Sequence, residues 1–287
     1  MPPSPPLAHD GAPIRRAYTQ CRYGHMHYRE AGWDHDATHP PVVMLHQNPS
    51  SGFEFEPLIA QLGLSRRVIA LDTPGHGMSD PPPAPPGIAG YAAAFADALD
   101  ALEINGPVDL YGFHSGTLLA VELALARPAQ VRRIALTGIP MYPQDKRAAL
   151  LHDALTFPAP DAQGEVLLGL LKKLWAYVVE QRAPGIPLDR AIAHFADKSA
   201  ILDRYTWVYR GVWGYDYARL SALTQPVLVL QPDEPLTPPS REAFALLRAA
   251  PGRDPADTLW RDLPDLTREI FDSAPERLSR ELCDFFA

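Results

Sequence analysis

A histidine and a serine stand side by side at the end of the apolar run Val108-Asp109-Leu110-Tyr111-Gly112-Phe113, and glycine follows them as Gly116. An imidazole with a pKa near ~6.5 takes and gives protons around neutral pH. Such an acid/base group typically contributes ~10²–10⁴-fold to a rate. The serine is a different matter. As a nucleophile it needs a base, and His114, adjacent in the chain, is poorly placed to reach it. His194 is the alternative base. Spacing indicates which residue sits at the bend. Centred on His114, the positions two before and two after are Gly112 and Gly116. Centred on Ser115, they are Phe113 and Thr117, and the phenylalanine would crowd a tight turn. Sterics therefore favour His114 at the tip, with Ser115 just after it.

The elements around that turn must hold it rigidly. An apolar strand leads in, and a helical pattern with Leu118, Leu119, Val121, Leu123 and Leu125 leads out to Pro128. Val42 to Leu45 and Val68 to Leu71 are short, wholly apolar runs, suited to strands covered on both faces. Ala17 to Tyr23 and His25 to Glu30 predict a hairpin turning at Gly24. Its pair His25-x-His27 reads as surface strand histidines, because no third metal ligand is near. Ile88 to Leu102 predicts an alanine-rich helix. Further strands are expected at Arg133–Thr137, Pro226–Leu230 and Thr258–Leu263, and helices at Ala243–Ala250 and Pro275–Phe286. Strands alternating with helices predict a parallel, doubly wound sheet. Between Met141 and Leu223 only helical periodicity is visible. Aromatic residues gather there, and Trp175, Trp207 and Trp213 are candidates to roof an apolar pocket.

The 287 residues suffice for one α/β domain with an inserted subdomain. A net charge of −8 argues against nucleic acid or an anionic membrane as partner. The two cysteines, Cys21 and Cys283, lie at opposite ends and form no disulfide framework or metal motif. They point weakly to a reducing, cytoplasmic setting. The proline-rich start lacks a signal peptide's apolar segment and predicts a disordered lead over 1–15. Pro74-Gly75-His76-Gly77 lacks dinucleotide-binding spacing. No cofactor or metal is expected, and the partner is a small-molecule substrate of a monomer or homodimer.

Three motifs, in order, resemble one superfamily. Gly112-Phe113-His114-Ser115-Gly116 looks like the nucleophile elbow of α/β-hydrolases. His46-Gln47-Asn48-Pro49 resembles the His-Gly-Asn-Pro oxyanion loop of the branch holding haloalkane dehalogenases and epoxide hydrolases. Asp72 to Asp80 resembles that branch's Asp-x-x-Gly-x-Gly-x-Ser turn. The resemblance implies an α/β-hydrolase core over 16–140 and 224–287, with a helical cap over 141–223. It implies an oxyanion hole from the N–H groups of Ser115 and Gln47, and a structural role for His46. His76 is expected to be solvated on its turn. Of the branch's halide-binding pair, only Asn48 is present.

The family order is nucleophile, acid, histidine. Glu234 occupies the acid slot, with Asp233 one residue away as the alternative. The histidine slot is empty: no histidine follows His194, and Arg268 stands about where one belongs. Arg268 either pairs with Glu234 or holds a substrate carboxylate. The tip carries neither serine, cysteine nor aspartate. The pattern points to acid/base catalysis by His114 on a small apolar carbonyl compound, as a hydrolase, lyase or cyclase. Two alternatives remain at this point. One is a non-catalytic binding protein on the same fold. The other is a serine hydrolase using Ser115 with an unusual base.

Overall fold

The structure, a computed structural model, describes residues 11–35 and 39–287. Its strands are β1 (Arg15–Cys21), β2 (Gly24–Ala31), β3 (Val42–Leu45), β4 (Val68–Leu71), β5 (Val108–Phe113), β6 (Val131–Thr137), β7 (Val227–Pro232) and β8 (Thr258–Leu263). They form one sheet in the order β1-β2-β4-β3-β5-β6-β7-β8. Only β2 runs against the others. The apolar runs are central strands, as their composition demands. In β3, Val43 and Leu45 enter the core on one face, and Val42 and Met44 the core on the other. That is the period-two alternation of a strand buried on both sides.

Helices α2 (Gly87–Ala101), α3 (Ser115–Ala126) and α8 (Thr237–Arg248) contribute to the first core. Helices α1 (Glu56–Leu62), α9 (Ile270–Ser273) and α10 (Pro275–Phe285) cover the second. Between β6 and β7 the chain is helical: α4 (Gln144–Leu155), α5 (Glu165–Trp175), α6 (Leu188–Ser199) and α7 (Thr206–Trp213), with a π-helical turn at Ala176–Glu180. None of the residues of α5 is buried. The expected lead over 1–15 lies outside the described residues as far as residue 10. Residues 11–15 are not disordered: Ala12 N–H donates to Ala60 O at 2.9 Å, Ile14 packs on the second core, and Arg15 opens β1. Among the described residues, no helix is long and apolar enough to cross a membrane.

Close backbone approach explains the elbow glycines. A Cβ on Gly112 would lie 2.6 Å from Gly116 O, and one on Gly116 would lie 2.0 Å from Leu45 O. Backbone cannot yield there as a side chain can. Gly116→Ala is expected to cost at least ~1–3 kcal/mol, the usual range for overpacking. Urea unfolding measures it, and an unchanged midpoint would contradict this packing.

Candidate active site

His114 stands between the last residue of β5 and the first of α3, at φ 50° and ψ −116°. Glu103 is the other described non-glycine residue with positive φ. Such a backbone costs ~1–3 kcal/mol and persists only where its surroundings impose it. Here His114 N–H donates to Thr137 O at 2.8 Å, and Thr117 N–H to His114 O at 2.9 Å. The register with His114 at the tip is therefore the one adopted. The Phe113 ring stacks on the imidazole at 3.9 Å.

Nε2 of His114 lies 2.7 Å from Glu234 Oε2. Glu234 follows β7 and its side chain is 2 % exposed. A carboxylate accepts, so Nε2 carries a hydrogen, and in the neutral ring the lone pair is then on Nδ1. Among the described residues nothing hydrogen-bonds Nδ1. Asp233 points its side chain outward, while its N–H donates to Leu266 O at 2.8 Å. Gly138, at φ 71°, leaves the pair its space. A Cβ there would lie 2.4 Å from His114 Cδ2 and 2.7 Å from Glu234 Oε1. Gly138→Ala should push the two groups apart and lower turnover by roughly 10–100-fold, since misplacement by ~1 Å costs about that much. Steady-state rates with melting temperature as control test this, and parent-level turnover would refute it.

The loop after β3 is engaged with the protein itself. Gln47 N–H donates to Glu54 Oε1 at 3.0 Å, and its Nε2 to Glu54 Oε2 at 2.7 Å. The expected oxyanion donor at Gln47 is thus occupied, because the 3₁₀ turn Gly52–Phe55 brings a buried glutamate beneath the loop. Lys198 of α6 donates to Pro49 O at 2.9 Å and lies 3.7 Å from Glu54. Asn48 N–H donates to Ser115 Oγ at 2.7 Å. Asn48 Nδ2 donates to Tyr205 O at 3.1 Å, and its Oδ1 lies 2.7 Å from His76 Nε2. The N–H of Ser115, first in α3, meets no carbonyl among the described residues.

His76 is not solvated. It is 2 % exposed, and burial, with the neighbouring His46 adding to it, pushes its pKa down to about 3. It serves as a neutral donor to Asn48. His46 is buried, with Nδ1 2.7 Å from Gln47 O and Nε2 accepting from Thr73 N–H at 2.9 Å. His25 is exposed, but His27 is buried with Nδ1 2.8 Å from Asp72.

Arg268 does not reach Glu234. It turns away to Glu269 at 3.0 Å, to Tyr177 O at 2.6 Å and to Gln181 O at 3.1 Å, with its guanidinium 3.8 Å over the Tyr177 ring. The π-helical turn offers those carbonyls, and they capture it. His194 pairs with Asp272 at 2.8 Å and not with Ser115. Burial raises the Asp272 pKa, but the His194 hydrogen bond and the Arg190 charge outweigh it and hold the carboxyl low.

A cavity of about 630 Å³ opens above His114 and Ser115, between the loop after β3 and the helices inserted after β6. Trp213 lines it. Trp175 and Trp207 do not: Trp175 packs on Phe195 at 5.2 Å and is 37 % exposed, and Trp207 faces away. Tyr142 and Tyr177 also line the cavity, though neither was among the aromatics picked from the sequence to roof it. Burial first, then the nearby Glu234 carboxylate, raise the Tyr142 pKa. Burial also raises Tyr177, partly offset by Arg268. No spacing in the chain marks these residues or Glu54. Among the described residues no cluster of three or more His, Cys, Asp or Glu is placed to hold a metal ion.

A family model described as the alpha/beta hydrolase fold matches residues 40–243. The chain is 34% identical over 110 residues to a cis-3-alkyl-4-alkyloxetan-2-one decarboxylase of Xanthomonas campestris pv. campestris, covering 36% of this chain and 37% of that protein. It is 34% identical over 102 residues to a 2-hydroxy-6-oxo-2,4-heptadienoate hydrolase of Pseudomonas putida, covering 34% and 37%. The chain thus spans little more than a third of these curated relatives' length. Among solved structures, the enol-lactonase from Burkholderia xenovorans LB400 superposes with a TM-score of 0.71 at 18% identity, covering 94% of this chain and 99% of that one. Epoxide hydrolase VrEH1 from Vigna radiata gives 0.72 at 16%, covering 95% and 97%. At those identities the likeness is one of fold.

Proposed function

This chain belongs to the α/β-hydrolase fold family, and from that premise we infer that it is an enzyme using His114 as a general acid/base on a small, largely apolar carbonyl compound. The observation that carries the reading is the 2.7 Å contact between Nε2 of His114, a residue lining the cavity, and the buried Glu234, with no partner for Nδ1 among the described residues. An ordinary triad holds its histidine at Nδ1 and works through Nε2. Here the ring is held the other way round.

In the proposed step, Nδ1 takes a proton from the carbon next to the carbonyl. The C–H electron pair moves into the C–C bond, and the carbonyl pair moves to oxygen. The resulting imidazolium lies against the Glu234 carboxylate. The enolate oxygen is received by Ser115 N–H and by the hydroxyl of Tyr142. Removing one such donor typically costs ~10²–10³-fold. From this enolate, expulsion of a leaving group on the adjacent carbon gives cleavage, and attack on an internal electrophile gives cyclisation. For hydrolysis Nδ1 instead takes the proton of a water that adds to the carbonyl carbon, and returns it to the leaving group as the tetrahedral intermediate collapses. The names of the partial relatives, a decarboxylase and a hydrolase of an oxo acid, favour the same substrate class.

Ser115 is not the nucleophile in this reading, because its Oγ accepts from Asn48 N–H and, among the described residues, no histidine bonds it. Treatment with a fluorophosphonate probe is expected to leave the intact mass unchanged, and Ser115→Ala to keep a substantial fraction of turnover. A stable adduct mapped to Ser115 would replace this reading by a serine hydrolase. A carbonyl ligand that binds but is never turned over would replace it by a binding protein.

A further inference from the structure

Tyr205, Tyr209 and Trp213 recur every four residues, which places them on one face at and along α7. All three line the cavity, and Tyr142, from the segment before α4, extends the row. Ring centroids step from Tyr205 to Tyr209 by 5.3 Å, to Trp213 by 5.8 Å and to Tyr142 by 5.9 Å. The Tyr209 and Trp213 planes differ by only 7°. The row is fixed at Tyr209: its OH donates to Asn48 O at 2.7 Å, and Asn48 N–H in turn donates to Ser115 Oγ. It is thus anchored at Tyr209 to the neighbour of Ser115 and passes through Trp213 to Tyr142, which stands near Glu234. Other parts of the cavity wall are aliphatic, with Leu150 of α4 and Leu170 and Leu174 of α5.

Leucines accept any apolar body. A continuous row of rings does more, because an aromatic ligand adds offset or edge contacts to simple burial. Each such contact corresponds to about two- to tenfold in affinity. A cavity of about 630 Å³ lies within the ~300–1,000 Å³ range of pockets that hold drug-sized ligands, and so admits a body of two rings.

We propose that the Tyr205–Tyr209–Trp213–Tyr142 row selects a substrate with a flat, two-ring aromatic body whose carbonyl is presented to His114. The proposal rests on the acid/base reading only for which end of the ligand faces His114.

Calorimetry on the full chain with 2-acetylnaphthalene and its saturated analogue 2-acetyldecalin tests it. The parent is expected to bind the aromatic ketone at least about tenfold more tightly. Trp213→Leu and Tyr142→Leu should each reduce that preference about threefold or more, whereas Trp213→Phe keeps most of it. Loss of fold would instead weaken both ketones together, and the Phe variant and melting temperatures expose that. His114→Ala should retain the preference, so failure of the proton-transfer reading is seen separately. Equal or tighter binding of the decalin, no binding of either ketone, or a preference that survives in the Trp213→Leu/Tyr142→Leu double variant would overturn the proposal.

Discussion

His114→Ala is expected to lower turnover of any carbonyl substrate by ~10²–10⁴-fold, the usual contribution of a positioned acid/base group. Alanine also leaves the buried Glu234 without its partner, so some loss of stability accompanies it. His114→Gln separates the two effects. Glutamine can still donate to Glu234, but it cannot cycle a proton. It should be as inactive as alanine, with a melting temperature nearer the parent's. The positive φ at residue 114 is equally strained for His, Ala and Gln, so backbone strain does not distinguish them. Parent-level turnover in either variant would remove His114 from the mechanism.

Asp72→Ala should be the most damaging single change to the fold, at ~3–5 kcal/mol, the range for breaking a buried ion pair. Asp72 is wholly buried beside the site loop. It lies 2.8 Å from His27 Nδ1 and 3.3 Å from Arg29 Nη1, and it accepts from the N–H groups of Gly52 at 2.8 Å and Met78 at 3.1 Å. Burial raises its pKa, but the His27 hydrogen bond and the Arg29 charge outweigh burial and hold it below the ordinary carboxylate value. The sign of the linkage follows. The unfolded chain binds this proton more readily, so the stability is complete above the unfolded pKa of ~3.9. It is lost as pH falls through the lower folded value. Urea midpoints from pH 7 downward should show a fall in the parent below about pH 4, with a shallower fall in Asp72→Ala. Parallel curves would show that Asp72 carries no such linkage.

The chain reveals its central frame directly. Val42–Leu45 and Val68–Leu71 were readable as strands because a fully buried strand needs both faces apolar, and β3 and β4 have those bounds. The elbow was readable because two close backbone crossings admit only glycine, at Gly112 and Gly116. Glu234 was readable from its place after a late strand. What failed depended on tertiary partners. Gln47 lost its donor to Glu54, seven residues on, through a turn with no marked pattern. Arg268 followed the carbonyls of an inserted helical turn rather than the nearest acid in chain order. His76, in a Pro-Gly turn, resembled a solvated residue, but Asn48 and His46 cover it. The tryptophans divided by helical phase. Trp207 sits two positions from both Tyr205 and Tyr209, roughly 200° around α7, so it faces away from the cavity. Trp175 follows Leu174 by one position, about 100° off the α5 face whose Leu170, Lys173 and Leu174 line the cavity.

The most direct test of His114 as a proton-transfer group needs no knowledge of the natural substrate. 2-Acetylnaphthalene in D₂O buffer, followed by proton NMR, reports exchange of the methyl hydrogens next to its carbonyl. The account predicts deuterium incorporation by the parent well above buffer, retained in Ser115→Ala and lost in both His114→Ala and His114→Gln. Incorporation at the same rate in the parent and the His114 variants, or none above buffer with ketone shown to be bound, would contradict it.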